Sequence, residues 1–203
     1  MSRTMRTRVF LTGVGGQGTL TATTILAQAA LDAGLAVTAG EILGMAQRGG
    51  VVESTVLIGG YQSPRIAKGE AHVLLGFEPL ETLRALPYLA PGGIIVSSSE
   101  SIPPIAVARG KEKAMPLSEI EAAARSCAKT VHFIPAISLG KEAGTAQAAN
   151  MVLLGALCAL DRLPFGLDRL AGTIKTKMAP RLHDINLKAI ELGAKAVCEA
   201  KNA

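Results

Sequence analysis

The chain has 203 residues, enough for one domain of ordinary size. Hydrophobic residues make up 49% of it and charged residues 18%, so it can bury a full core and does not have the composition of a disordered protein. The net charge of +5 is modest and only 3% of the residues are aromatic, which argues against nucleic-acid binding. The three cysteines, Cys127, Cys158 and Cys198, are too far apart for a zinc, ferredoxin-type or disulfide motif, and we expect them to be small core residues of helices.

The sequence carries no sign of secretion or of a membrane span. Glycines interrupt the apolar run that follows Arg8, so no secretory signal fits. The two longest uncharged stretches, 9–31 and 143–160, contain glycines and polar residues, and we expect both to be buried elements of a soluble protein. The expected location is therefore the cytoplasm.

The predicted elements begin with a β-α-β unit. An apolar run over 8–12 ends in glycine, as a buried parallel strand does, and a helix is predicted over 17–33 with Gly34 as its C-cap. A second strand over 35–39 follows, and the short links imply a right-handed crossover in a parallel sheet. A third strand, 51–58, ends in two glycines and is a candidate for antiparallel pairing.

Strands and helices then alternate up to about residue 135, and helices alone complete the chain. The remaining predicted strands are 72–76, 94–97 and 131–134, and the remaining predicted helices are 79–89, 111–128, 137–143, 145–160, 167–175 and 181–201. This order predicts a single α/β domain over 1–203. Its sheet is expected to be open, doubly wound, Rossmann-like and mostly parallel, with a helical C-terminal layer.

A glycine loop lies between the first predicted strand and the first predicted helix. Its sequence, Gly13-Val14-Gly15-Gly16-Gln17-Gly18, matches the G-x-G-x-x-G pattern in the position that phosphate binding requires. We expect the N–H groups of Gln17, Gly18 and Thr19 to be free to bind an anion. The predicted cofactor-binding residues are Gly13, Gly15, Gly16, Gln17, Gly18 and Thr19. The alternative is a glycine turn that only lets the helix pack closely on the sheet.

A second loop follows the second predicted strand, with the sequence Glu41-Ile42-Leu43-Gly44-Met45-Ala46-Gln47-Arg48-Gly49-Gly50. The guanidinium of Arg48 can bind a carboxylate or a phosphate, and the adjacent glycines allow a close backbone approach. Arg48 could equally pair with Glu41 or Glu53 and only fix the loop. The predicted contacts with substrate or with a partner's active site are Glu41, Met45, Gln47, Arg48, Gly49 and Gly50.

Three segments together resemble a known family: the loop 13–18, the loop 44–50 and the stretch Glu78-Pro79-Leu80-Glu81. They look like the gamma-type subunit of 2-oxoacid:ferredoxin oxidoreductases, with the strongest likeness to the beta subunits of indolepyruvate:ferredoxin oxidoreductases. The likeness runs from about residue 9 to about residue 195. Supporting stretches are 86–89, 91–93, 150–155 and 186–189.

The resemblance implies a subunit that is inactive alone. Such enzymes oxidatively decarboxylate a 2-oxoacid to an acyl-CoA and pass two electrons to ferredoxin. Thiamine diphosphate, Mg and [4Fe-4S] clusters are expected on a large partner subunit, and this chain is expected to have neither catalytic residues nor a metal site. Gln47 and Arg48 would then be polar contacts at the shared active site, Met45 an apolar neighbour, and CoA a co-substrate that the loop 13–18 could touch.

Two other hypotheses fit the residues. Gly13, Gly15 and Gly18 followed by Glu41, 23 residues past Gly18, are typical of a self-contained NAD(P)-binding oxidoreductase. A structural interaction domain whose loops hold no ligand is the third. Asn150 lies in an otherwise apolar predicted helix, so we expect it to make a hydrogen bond between helices or between subunits.

Overall fold

The computed structural model describes residues 6–43, 50–101 and 115–202, and its centre is a six-stranded sheet. The strands are β1 (Thr7–Val14), β2 (Val37–Leu43), β3 (Val51–Ile58), β4 (Ala71–Gly76), β5 (Leu89–Ser98) and β6 (Thr130–Ile134). Their order across the sheet is β2-β3-β1-β4-β5-β6. β1, β4, β5 and β6 pair in parallel, whereas β3 is antiparallel to both of its neighbours, β1 and β2.

The position of β3 corrects one expectation. β1 and β2 run in the same direction, but they are not neighbours, because β3 lies between them. The link from β2 to β3 is too short for a crossover helix, so β3 returns antiparallel along β2 and takes the place next to β1. The candidate antiparallel pairing of 51–58 is confirmed.

The helices of the described residues follow the prediction with shifted ends. They are α1 (Thr19–Asp32), α2 (Pro79–Ala85), α3 (Leu117–Cys127), α4 (Ala136–Ala143), α5 (Ala149–Cys158), α6 (Leu167–Lys177) and α7 (His183–Asn202). Short 3-10 turns precede α5 and α7 and follow α2. Gly34, with φ +75°, ends α1 as expected, and the bond from the Leu35 N–H to the Ala30 carbonyl, 3.0 Å long, completes a Schellman motif.

Helices cover both faces of the sheet, as a doubly wound fold requires. α1, α5 and α7 pack on one face with α6 behind them, and α2 and α3 pack on the other. The larger core lies on the first face, where every residue of α5 from Asn150 to Cys158 is buried. The helices of the predicted C-terminal layer thus form part of the larger hydrophobic core, on the first face of the sheet. No helix among the described residues combines the length and the apolar character that crossing a bilayer requires.

The cysteines lie on three different helices. Cys158 is buried in α5, and burial raises the pKa of its thiol to about 12. Cys127 and Cys198 are exposed, so the expectation that they are core residues is wrong. Cys127 ends α3, and Cys198 lies in the last turns of α7. Both helices are amphipathic, and their outer faces meet solvent.

Candidate functional site

The glycine loop joins β1 to α1, and its glycines are required by the backbone. Gly16 and Gly18 have φ angles of +102° and +77°, in the region that other residues rarely adopt. At Gly13 the need is space, because a Cβ there would lie 2.8 Å from the Cβ of Phe77 and 2.8 Å from Oε1 of Gln17. The loop is therefore a tight turn pressed against the ends of β1 and β4.

Gln17 fastens this turn from inside. Its Oε1 accepts a hydrogen bond from the Val14 N–H at 2.9 Å, and its Nε2 donates to the Phe77 carbonyl at 2.9 Å. Its own backbone N–H donates to the Val14 carbonyl at 3.2 Å. The expectation that the Gln17 N–H is free for an anion is therefore wrong.

The N-terminus of α1 offers donors that no side chain uses. Gly18 is the N-cap, no side chain caps the helix, and its first turn has no acidic residue. The hydroxyl Oγ1 of Thr19 is buried without a hydrogen-bond partner. An anion at such a helix end gains roughly 0.3–1 kcal/mol, and up to ~2 kcal/mol when it is sheltered. Gly18 and Thr19 therefore remain the predicted anion contacts.

A crevice of about 320 Å³ opens beside this loop, at the carboxyl ends of β1, β4 and β5. α1 leaves β1 on one face of the sheet and α2 leaves β4 on the other, so the crevice lies at the switch point where open α/β sheets bind ligands. Its wall is mostly apolar. The lining residues are Gly16, Gln17, Phe77, Ser98, Ala136, Ile137, Ala146, Gln147, Ala149 and Leu153. Most of them were missed from the sequence, although several directly follow strand ends.

At the start of the neighbouring helix α4, the carboxylate of Glu100 caps the helix. The Glu100 carboxylate accepts from the Ser138 N–H at 2.9 Å and from the Ser138 hydroxyl at 2.6 Å. Burial acts to raise the pKa of Glu100, but these hydrogen bonds and the charge of Lys141 outweigh it and the pKa is lowered. Because Glu100 occupies the start of α4, the uncapped α1 is the better place for a bound anion.

Replacing Glu100 with glutamine is expected to lower the free energy of unfolding by about 1 kcal/mol at pH 7, the usual loss when a helix cap is removed. A folded-state pKa below the usual value stabilises the fold above that value, and this stabilisation disappears as the pH falls. The difference between the two proteins should therefore close at pH values well below the ordinary 4.5. Urea unfolding at pH 7 and pH 3 measures it.

Glu142→Gln is the matched control for that experiment, because Glu142 is an exposed residue of the same helix whose side chain makes no cap. It should change the unfolding free energy by less than about 0.5 kcal/mol at either pH. A gap between wild type and Glu100→Gln that stays the same at pH 3 would contradict the assignment of Glu100 as a charged cap.

Among the described residues, a hydrogen bond joins the two predicted loops. The Gly15 N–H donates to the Gly50 carbonyl at 2.9 Å, so the end of the second loop lies against the first. Met45, Gln47, Arg48 and Gly49 lie outside the described residues. Their role as active-site contacts stays a prediction.

Glu41 does not stand where a dinucleotide-binding acid would. It is exposed on β2, opposite Ser54 of β3, and β3 separates it from β1. Two strand spacings place β2 roughly 9.5 Å from β1, whereas a ribose-binding acid follows the strand next to the glycine loop. This order argues against the NAD(P) hypothesis.

Asn150 holds the glycine loop from the side of α5. Its Nδ2 donates to the Gly18 carbonyl at 3.2 Å, and its Oδ1 accepts from the Met151 N–H at 2.8 Å. The residue is buried. The hydrogen bond expected of it is thus made within the chain, to the loop itself.

Asn150→Asp is expected to lower the free energy of unfolding by about 1–3 kcal/mol at pH 7, because it keeps the acceptor and places a carboxylate oxygen against the Gly18 carbonyl. Thermal and urea unfolding measure this loss. Gln62→Glu, the same amide-to-carboxylate change at an exposed residue between β3 and β4, is the control and should change stability by less than about 0.5 kcal/mol. Equal stability of the Asn150→Asp and wild-type proteins would remove Asn150 as a support of the loop.

Comparison with known proteins places the chain in a family. The family model of the pyruvate ferredoxin/flavodoxin oxidoreductases matches residues 8–196. The chain belongs to this family. Among curated members, the indolepyruvate oxidoreductase subunit IorB of Archaeoglobus fulgidus is 38% identical over 189 residues, which is 93% of this chain and 94% of that protein.

Two solved structures have a similar fold. The gamma subunit of a keto/oxoacid ferredoxin oxidoreductase from Geobacter sulfurreducens has a TM-score of 0.70 at 21% identity, over 95% of this chain and 99% of that one. A 2-oxoglutarate:ferredoxin oxidoreductase from Magnetococcus marinus has a TM-score of 0.73 at 19% identity, over 97% of this chain and 32% of that one. A single open α/β unit of this kind thus occurs both as a separate subunit and as part of a longer chain.

The described part of the chain contains no set of side chains that could bind a metal ion. No group of three or more His, Cys, Asp or Glu side chains there is arranged to hold a metal ion. The whole chain has three cysteines, which is fewer than the four thiolates of a [4Fe-4S] cluster. The residues therefore do not fit an iron–sulfur cluster.

Proposed function

We propose that the chain is the small subunit of a heteromeric 2-oxoacid:ferredoxin oxidoreductase that acts on an arylpyruvate such as indolepyruvate. The observation that carries the proposal is the near full-length match, at 38% identity, to a subunit named for indolepyruvate. The reaction consumes a 2-oxoacid, CoA and two oxidised ferredoxins, and yields an acyl-CoA, CO2, a proton and two reduced ferredoxins.

The proposal divides the chemistry between two subunits. Thiamine diphosphate with Mg, and the [4Fe-4S] clusters, belong to the large partner subunit, because this chain has too few thiolates for a cluster. This subunit completes the shared active site, and ferredoxin meets the complex through the large subunit. The cytoplasm is the proposed location.

We propose further that the crevice and the start of α1 receive CoA. The support is chemical: the uncapped N-terminus of α1 and the unpartnered Thr19 hydroxyl suit a phosphate, and the apolar walls suit the chain that carries the thiol. The related Magnetococcus enzyme is described with coenzyme A and succinyl-CoA bound. CoA supplies the thiol that accepts the acyl group.

The second loop is assigned to the partner's side of the same site. Gln47 and Arg48 would contact the 2-oxoacid or CoA, and Met45 would be an apolar neighbour. The support is the hydrogen bond between Gly15 and Gly50, which ties the end of this loop to the crevice-lining one.

Arg48→Ala is expected to lower kcat/KM of the complex by at least about tenfold, because loss of a charge-assisted hydrogen bond typically weakens an interaction by 1.5–3 kcal/mol. The measurement is 2-oxoacid-dependent ferredoxin reduction at varied CoA concentrations. Arg125→Ala, an exposed residue at the end of α3, is the control and should leave the rate unchanged. Unchanged activity and CoA affinity in Arg48→Ala would refute its assignment.

Co-purification with a large thiamine- and cluster-bearing subunit tests the proposal as a whole. We expect a stable complex that reduces ferredoxin only when indolepyruvate and CoA are both present. Titration of the isolated chain with NADH and NADPH should give neither heat nor thermal stabilisation. A complex that is inactive with every 2-oxoacid, or tight binding of NADH by the isolated chain, would overturn it.

A further inference from the structure

A second cavity lies at the opposite edge of the sheet from the glycine loop. It has a volume of about 250 Å³ and opens beside the amino ends of β1 and β4. Its lining residues are Arg6, Thr7, His72, Val73, Pro91, Gly92, Gly93 and Arg162. Two arginines and one histidine thus line one small cavity, and no acidic residue is part of its lining.

An irregularity in β5 makes room for this cavity. Ala71 pairs with Leu89 and Val73 pairs with Ile94, so four residues of β5 stand opposite the single residue His72. Gly92 has a φ of +77°, and a Cβ on Gly93 would lie 2.9 Å from the Ala90 carbonyl oxygen. Irregularities of this kind occur next to functional sites, where they end the regular pairing and redirect side chains.

Neither arginine of the lining has a carboxylate partner among the described residues. Arg6 lies over the ring of Tyr61, 4.1 Å from its centroid, a contact that leaves its N–H edge available for in-plane hydrogen bonds. Glu70, whose charge acts on His72, has partners of its own, since it pairs with Arg8 at 3.8 Å and accepts from the Ala67 N–H at 3.2 Å. Within the described residues, neither Arg6 nor Arg162 forms an ion pair.

His72 adds a neutral donor. Its Nδ1 accepts a hydrogen bond from the Arg8 N–H at 3.1 Å, which leaves Nε2 as the N–H of the ring. Burial, together with the charge of Arg8, lowers the pKa of His72, while Glu70 acts in the opposite direction. The imidazole is therefore uncharged at neutral pH, and the positive charge of the lining comes from two arginines.

We propose that this cavity binds a phosphoryl dianion, either free phosphate or the phosphate group of a small phosphate monoester. Two guanidinium charges match the dianion, and the donors of Arg6, Arg162 and His72 match its three oxygens. A single carboxylate would leave one guanidinium without a counter-charge. The site is independent of the proposed 2-oxoacid chemistry, because it lies at the other edge of the sheet.

Calorimetric titration of the full chain with inorganic phosphate, glycerol 3-phosphate and malonate, at constant ionic strength, tests the proposal. We expect phosphate to bind in this cavity, and Arg6→Gln and Arg162→Gln each to weaken that binding by at least about tenfold. Arg169→Gln removes an exposed charge outside the lining and should have less than a twofold effect. Thr19→Val, which alters only the glycine-loop site, should also leave this binding unchanged.

The outcomes separate the sources of the phosphoryl group. Tighter binding of glycerol 3-phosphate identifies a phosphate monoester as the ligand, and equal binding identifies free phosphate. No binding at millimolar concentrations, or binding that Arg6→Gln and Arg162→Gln leave intact, overturns the proposal. Malonate binding as tightly as phosphate overturns it as well, since the cavity would then be a general carboxylate site. Circular dichroism of each variant confirms that it is folded.

Discussion

Gly155→Ala is expected to lower the free energy of unfolding by about 3 kcal/mol, the upper part of the range for overpacking a core. Gly155 lies in α5 where α7 crosses it, and an added Cβ would stand 2.0 Å from the carbonyl oxygen of Ile190 and 2.5 Å from its Cα. Both atoms belong to the backbone of α7, so no side chain can rotate away. The two helices must separate, and the core that they share must open with them.

Urea unfolding at neutral pH measures this loss, and the chain provides matched variants. Gly193→Ala on α7 should behave alike, because its Cβ would lie 1.9 Å from the Val152 carbonyl oxygen. Gly172→Ala in α6 is the control, since nothing lies within 4 Å of the added Cβ. It should stabilise the protein by about 0.4–1 kcal/mol, the usual gain when a helical glycine becomes alanine. Similar losses in Gly172→Ala and Gly155→Ala would contradict the close-contact explanation.

Ala146→Phe is expected to reduce kcat/KM of the complex for CoA by at least about tenfold, with little loss of stability. Ala146 is a partly exposed residue of the crevice lining, and a phenyl ring there would fill much of a volume of about 320 Å³. A ligand that enters the crevice would have to displace the ring, and 1.4 kcal/mol of lost binding already corresponds to tenfold. Ferredoxin reduction at varied CoA and 2-oxoacid concentrations shows which of the two is affected.

Ala122→Phe is the control for that experiment, since Ala122 is exposed on α3, on the other face of the sheet. It should leave both KM values unchanged. An Ala146→Phe complex with wild-type kinetics for CoA and for the 2-oxoacid would exclude the crevice as a ligand site. A higher KM for the 2-oxoacid alone would assign the crevice to that substrate and not to CoA.

Most of the fold could be predicted, because the local sequence pattern indicates where most of its helices and strands begin and end. The strand predicted over 51–58 has the same bounds in the structure, and Gly34 ends α1 as its residue type indicates. The place of β3 between β1 and β2 could not be predicted, because hydrophobic periodicity says which residues face a core but not which strand lies beside which. Because β3 lies between β1 and β2, Glu41 on β2 is farther from the glycine loop than the sequence predicted.

The candidate site was predicted in part, and the limits have physical causes. The position of the glycine loop follows from a strand and a helix that flank it in sequence. The inward turn of Gln17 does not, because it depends on the carbonyl of Phe77, 60 residues away. Glu78 and Pro79 were singled out by resemblance, and the structure gives them a structural role: the Glu78 carboxylate accepts from the Glu81 N–H at 2.9 Å and Pro79 begins α2.

The glycine contacts between α5 and α7 also have a mechanical consequence. Helices whose backbones touch cannot slide past each other by changes of side-chain rotamer, so we expect α5 and α7 to move together. The N-terminal end of α5 carries Asn150, whose Nδ2 donates a hydrogen bond to the Gly18 carbonyl. A displacement of the long helix α7 is therefore expected to shift α5 and, through Asn150, the glycine loop.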